Sequence, residues 1–273
     1  MTTSIAAHQL LEKLALKPID STSFPTHFNV VLKLREALND QRAPFKKIID
    51  ILNGEPMVSA RIVQSANAAT FYGKEAVLDV EKAVYRLGTN AVRRIALGIA
   101  MTQLTQVKEL LPFSAMGRRI WLHSLYTASV ASVLARAFTR HLPDETLFLG
   151  LTLNLGAFYL LYQASQYPML HKDQDDVKDA IGRHYLRLTQ RVLEAMGLPE
   201  EVTDALDIAA LQGSPMLVPP QTIQEVLHTA NLVACRRYPW TDGQDPEAMV
   251  TLEILDMADE FDVRFKQIQS EYL

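Results

Sequence analysis

The sequence predicts an all-α protein of two helical lobes. Three features carry that expectation: apolar residues recur at helical spacing along most of the chain, prolines followed by acids stand where first turns begin, and no alternating run bounded by hairpin turns occurs. At 273 residues the length fits one large domain or two of ordinary size, and a 48% hydrophobic content supplies a core without a metal or disulfide staple. Eleven glycines are few for a glycine-punctuated β architecture. The single cysteine, Cys235, excludes a disulfide framework and a thiolate-rich metal site. Its setting in LHTANLVACRR predicts a small apolar residue on a buried helix face. With 27 basic against 31 acidic residues the net charge is −4, which provides no global field for nucleic acid or an anionic membrane.

Taken in order, residues 1–20 form an amphipathic helix with Leu10, Leu11, Leu14 and Leu16 as its apolar positions and no basic region of a secretory signal. The first lobe spans 21–112. Val30, Val31, Leu34 and Leu38 make one stripe, with Pro25 upstream. Phe45, Ile48, Ile49 and Leu52 make the next, stopped by Asn53-Gly54. Pro56 opens a helix in which Val58, Ile62, Val63 and Ala66 share a face. Pro143 and Pro199, each followed by two acids, open two more, because proline at the first helical position forfeits no hydrogen bond and the acids complement the exposed amides. Long helices are expected through 89–107 and 118–138, the break LLPFSAMG marking the lobe boundary near residue 112. The second lobe spans 113–238, with helices over 177–196, 200–211 and 222–238. A C-terminal extension, 239–273, begins with the turn-rich YPWTDGQDP and carries a helix over 247–261.

Residues 146–170 contain no charged side chain. Their strongly apolar part, LFLGLTLNLGAFYLLY, is shorter than the ~20 residues of a spanning helix. Thr152 and Asn154 lie within it and no positive flank orients it, so it is expected as the central helix of a bundle in an intracellular, cytoplasmic protein without membrane contact.

Chemistry is sparse. None of the seven histidines, among them His123 and His184, pairs with another at three- or four-residue spacing, so an HExxH-type zinc site is absent. No GxSxG, GxxxxGK or GxGxxG occurs. Arg93-Arg94 and Arg118-Arg119 are short basic pairs without interleaved aromatics, better read as solvated helix faces than as a nucleic-acid groove. The residues themselves present no catalytic constellation.

Several spaced motifs nevertheless resemble the bacterial HDOD domain. They are the proline-led first helix at Pro25, the acid-proline step Glu55-Pro56, the block Ser65-Ala66-Asn67-Ala68-Ala69-Thr70-Phe71-Tyr72-Gly73, and Ala83-Val84-Tyr85-Arg86-Leu87-Gly88. The following half resembles the HD-phosphohydrolase lobe: His123 matches that fold's first histidine, GLTLNLGAFYL stands where G-L-L-H-D-I-G would, and GLPEEVTDALDIAA stands at the block that ends in paired histidines. The resemblance, spanning about residues 21–238, implies an HDOD N-lobe followed by an HD-like helical lobe.

It also implies a degenerate metal site. The His-Asp pair of a catalytic HD protein falls on Leu153 and Asn154, the paired histidines on Ala209 and Ala210, and the aspartate of the final helix on Asn231. Leucine and alanine offer no lone pair, and asparagine offers a neutral carbonyl in place of a carboxylate. No metal, cofactor or catalytic residue is therefore expected. The resemblance implies a non-catalytic signal-transduction or scaffolding module that acts through bacterial protein partners. The alternatives are a metal-dependent HD-type phosphohydrolase, or a nucleotide-binding sensor that uses a vestigial pocket of His123, Asn154, His184 and Asn231 for a small ligand. The structural reading of these residues is a polar network fixing helix register, with His123 the expected partner of Asn154 and Asn231 a second. Asn67 and Tyr72 are a further possible partner surface. Structurally, Asn67 is expected to end its helix by side-chain capping or a left-handed conformation.

Overall fold

The computed structural model describes residues 2–19, 33–34, 37, 44–67, 76–104, 108–141, 143–195, 200–207, 215–216, 218–240 and 250–272. Among them every regular element is helical, and the one β-type contact is a lone bridge between Met216 and Val250. The chain divides into two compact units, residues 24–104, and residues 1–23 together with 105–273.

In the smaller unit the described helices are α2 (Phe45–Asn53), α3 (Pro56–Ala66), α4 (Val80–Leu87) and α5 (Thr89–Leu104). Pro56 occupies the first turn of α3 as expected, and Val58, Ile62 and Ala66 are buried, with Val63 half-buried. Ile48, Ile49 and Leu52 form the buried face of α2. Phe45 is half-buried and stacks on the exposed Tyr85 at 4.5 Å. Asp79 caps α4 by accepting from the Lys82 amide. Gly88 follows it with φ +79°, a conformation that favours glycine, and so turns the chain directly into α5. Of the first stripe, Leu34 is buried, whereas Pro25, Val30, Val31 and Leu38 lie outside the described residues.

In the larger unit α6 (Ser114–Phe138) is the axis, about 37 Å long. Residues 123–135 are buried without interruption. This is possible because the segment alternates small with apolar side chains, and because Ser124, Thr127 and Ser129 return their hydroxyls to carbonyls four residues earlier in the same helix. Around it pack α7 (Pro143–Thr152), α11 (Ile223–Arg237) and α13 (Ala258–Tyr272), while α8 (Leu155–Ser165) packs chiefly on α9 (Gln174–Ala195). Short α10 (Glu200–Ala205) and α12 (Leu252–Leu255) complete the set. α1 (Thr2–Leu16) belongs to this unit and lies on α9 with Ala7, Leu11, Leu14 and Ala15 buried. Leu16, expected on the apolar face, is exposed, because Ala7 and Ala15 occupy the contact instead.

The apolar run 146–170 is not one helix. It breaks at Leu153-Asn154, both fully buried. Thr189 of α9 holds the break: its hydroxyl donates to the Leu153 carbonyl at 2.8 Å and accepts from the Gly156 amide at 2.8 Å. Both groups are thereby satisfied without an uninterrupted helical ladder. The stretch Glu145–Ser165 is long and apolar enough to cross a membrane, but 89% of its most apolar 18-residue window is buried inside the fold, so little apolar surface is left for lipid. Toward the C-terminus the helix expected over 247–261 is interrupted at Asp256-Met257 and continues to Tyr272, with Phe261, Phe265 and Ile268 extending the buried stripe. α10 stops at Ala205, short of the expected Leu211, and residues 208–211 lie outside the described residues. Cys235 is half-buried rather than buried.

Candidate functional site

His123 reaches the centre of the larger unit because it sits in the buried middle of α6, facing α11 and the segment that follows it. Its Nδ1 lies 3.0 Å from the Tyr238 carbonyl, and its Nε2 lies 2.9 Å from the carboxamide of Asn231 on α11. The ring is fully buried. That desolvation holds its pKa below the ordinary histidine value, although the bonds to Asn231 and Tyr238 oppose it. The neutral ring has one N–H. The groups facing the two nitrogens, the Tyr238 carbonyl and Asn231 Oδ1, are both acceptors, so that single N–H satisfies one of them. The Asn231 Nδ2 donates to the Tyr185 hydroxyl of α9 at 3.4 Å. Aromatic side chains close the remaining space. Trp240 meets the His123 ring edge-to-face at 6.1 Å between centroids and Tyr185 at 5.1 Å.

Asn154 is fully buried at the α7–α8 break, but its partner is not His123. Its NH2 donates to Ser124 Oγ at 3.0 Å, and Ser124 donates in turn to the Ile120 carbonyl. The reason is local: Ser124 is the next residue along α6, and the two ring nitrogens of His123 are already occupied. The Asn154 Oδ1 is buried without a hydrogen-bond partner among the described residues. His184 is not part of this group. It is half-buried on α9 facing α1, with Nε2 3.0 Å from Glu12 Oε2. Arg183 reaches the same carboxylate at 3.1 Å. Foremost the hydrogen bond from His184, and further the charges of His184 and Arg183, hold the Glu12 carboxyl below its usual pKa. The structure thus brings together His123 and Asn231, sets Asn154 beside them through Ser124, and leaves His184 elsewhere. Ala209, Ala210 and Tyr72 lie outside the described residues.

Asn67 ends α3 in a right-handed rather than left-handed conformation, φ −102°, ψ 4°. Its side chain donates to the carbonyls of Val63 (3.1 Å) and Val77 (2.7 Å) and accepts from the Val77 amide (2.8 Å). The carboxamide pins the loop to its own helix end.

The sequence reading missed Tyr185, Tyr238 and Trp240. The signal was present in YPW: two large rings flanking a proline just after a buried helix are too costly to leave in water, yet the segment reads by composition as a turn-rich link.

A metal centre does not fit these residues. Among the described residues no group of three His, Cys, Asp or Glu side chains is placed to hold an ion. Both nitrogens of His123 are taken up by Tyr238 and Asn231, Leu153 has no donor, and the free Asn154 oxygen is neutral. One such oxygen neither neutralises a divalent cation nor lowers the pKa of a water bound to it. Two open grooves flank α13, of about 550 and about 340 Å³, and neither is lined by His123, Asn154 or Asn231.

The HDOD domain family matches residues 24–209, and the chain belongs to that family. Its fold is shared with a protein of Shewanella amazonensis SB2B provisionally named a metal-dependent phosphohydrolase, at 20% identity and TM-score 0.68 over 100% of both chains. It is shared with an HDOD domain protein of unknown function from Geobacter sulfurreducens, at 17% identity and TM-score 0.54 over 99% of this chain and 97% of that one. A provisionally named signal transduction protein of Marinobacter aquaeolei VT8 is similar at 18% identity and TM-score 0.55, over 98% of this chain and 65% of that one. These identities establish a common fold and nothing finer. No curated protein matches the chain.

Proposed function

We propose that this HDOD protein is a non-catalytic signal-transduction or scaffolding module of the bacterial cytoplasm, acting through protein partners. The observation that carries the reading is the engagement of His123 on both nitrogens. Tyr238 and Asn231 take the ring, Trp240 and Tyr185 pack beside it, and the resemblance to HD phosphohydrolases puts Leu153-Asn154 at the position of their His-Asp pair. A degenerate centre of this kind retains the fold as a rigid platform and gives up the chemistry. The membership in the HDOD family and the neighbour named a signal transduction protein are consistent with it.

The test is metal analysis of the purified protein combined with a phosphoester hydrolysis screen in manganese, magnesium and zinc. The expected outcome is no stoichiometric metal and no turnover above buffer. Stoichiometric metal with turnover abolished by His123→Ala would overturn the proposal. Pull-down from the native host then identifies the partners on which the activity depends.

A further inference from the structure

The larger of the two grooves, about 550 Å³, lies between the C-terminal half of α6, the start of α7 and one face of α13. Its volume falls in the range typical of small-molecule sites. Arg264 of α13 and Arg136 of α6 line it, together with Asp259 and Glu260 of the first turn of α13.

The disposition of these charges is unusual. Glu260 precedes Arg264 by four residues, the spacing and orientation at which a helix ordinarily forms an ion pair. Arg264 does not make that pair. Its Nε donates to Ser132 Oγ at 3.3 Å and its Nη1 to Gln267 Oε1 at 3.3 Å. Ser132 is itself fixed, donating to the Ser129 carbonyl at 3.0 Å. The guanidinium therefore leans onto α6 at Ser132, one helical turn from Arg136, while its Nη1 stays bonded to Gln267 of its own helix. Among the described residues, Arg136, Asp259 and Glu260 form no salt bridge, although they line one groove. Two cations are thus brought to one wall, and two acceptor-only carboxylates line the α13 side, none of them neutralised internally.

We propose that this groove binds a phosphate ester of a hydroxyl-bearing small molecule, a sugar phosphate in the simplest case. Two guanidinium forks match the charge and the several oxygens of a phosphoryl dianion. Asp259 and Glu260 have no proton to give, so they repel a bare anion but accept hydrogen bonds from hydroxyl groups on its carrier. The combination selects the ester over inorganic phosphate and over the free sugar. The site shares no residue with the His123 cluster, and the inference stands whether or not that cluster is catalytic.

Isothermal titration of the full chain at low ionic strength, with ribose 5-phosphate, inorganic phosphate and ribose as probes, tests it. Ribose 5-phosphate is expected to bind saturably and more tightly than phosphate, with no heat from ribose. Arg136→Gln, at an exposed position, should weaken ribose 5-phosphate by about tenfold or more, the equivalent of about 1.4 kcal/mol. Arg264→Gln should do the same. The double change Asp259→Asn, Glu260→Gln should strengthen phosphate binding and narrow the preference for ribose 5-phosphate over phosphate. No saturable binding of ribose 5-phosphate, unchanged binding in Arg136→Gln, or equal affinity for phosphate and its ribose ester would overturn the inference.

Discussion

At the scale of single residues, the outcome at His123 is decided by which atoms face the ring. Nδ1 faces the Tyr238 carbonyl and Nε2 faces Asn231 Oδ1, so both nitrogens of the buried ring lie against acceptors. Asn231→Leu should leave the buried Nε2 without its partner and cost about 1–3 kcal/mol in urea unfolding, with the fold retained. Asn231→Asp should act differently, because a carboxylate beside the ring favours the imidazolium. The expected signature is a His123 pKa, followed by NMR, higher than in the parent protein. Asparagine and aspartate are nearly isosteric but exchange an amide NH2 for a charged oxygen, and that difference separates an internal hydrogen bond from a ligand for a cation. The identity of these residues was legible in the sequence, and so was their burial. Their pairing was not: Asn154 bonds to Ser124, and His184 bonds to Glu12 across 172 residues of chain, because direction around a helix axis is set by neighbours that spacing alone does not name.

Among the elements, the break between α7 and α8 is the most informative. The residues there are apolar enough to continue a helix. What divides them is Thr189, which bonds to both sides of the break, and the approach of α9 over Gly156. A Cβ at residue 156 would meet the Tyr185 carbonyl, the Thr189 amide and the Leu188 side chain, two of them backbone groups that cannot swing aside. Gly156→Ala is accordingly expected to destabilise by about 2 kcal/mol or more, read as a lowered urea midpoint, since overpacking between two helices forces the backbones apart. Gly150 has the same relation to α6, with Ala128 Cα 2.7 Å from the Cβ it lacks. At the other end of the unit, Arg191 of α9 donates to the carbonyls of Ala15 and Lys17, both at 2.7 Å, and so satisfies the end of α1. Arg191→Ala should leave the core intact and speed amide exchange in α1 selectively, measurable by hydrogen exchange with mass spectrometry.

For the whole molecule, pH dependence sums these local terms in two windows. An unfolded histidine titrates near 6.5, and burial keeps folded His123 below that value. Between the two values the unfolded chain binds more protons than the folded one, so stability is full above the unfolded pKa and erodes as pH falls below 6.5, levelling once the folded ring also protonates. Glu12 acts lower on the scale. Its folded pKa is depressed from 4.5, so its contribution is present above 4.5 and is lost as pH falls through the folded value. Urea midpoints across this range should show the upper slope reduced in His123→Gln and the lower one reduced in Glu12→Gln.

The amino-acid sequence by itself determined the all-helical class, the starts of α3 and α7 at proline, the buried faces of α2 and α3, and the HDOD relationship. Each of these depends on residue type and local spacing, which survive without knowledge of any partner. Only the tertiary structure decided that the apolar run divides at Leu153-Asn154, that Trp240 and Tyr238 return over His123, and that Arg264 leans on Ser132 instead of Glu260. Those outcomes depend on groups distant in the chain competing for the same donors, acceptors and space, and a competition of that kind has no local signature.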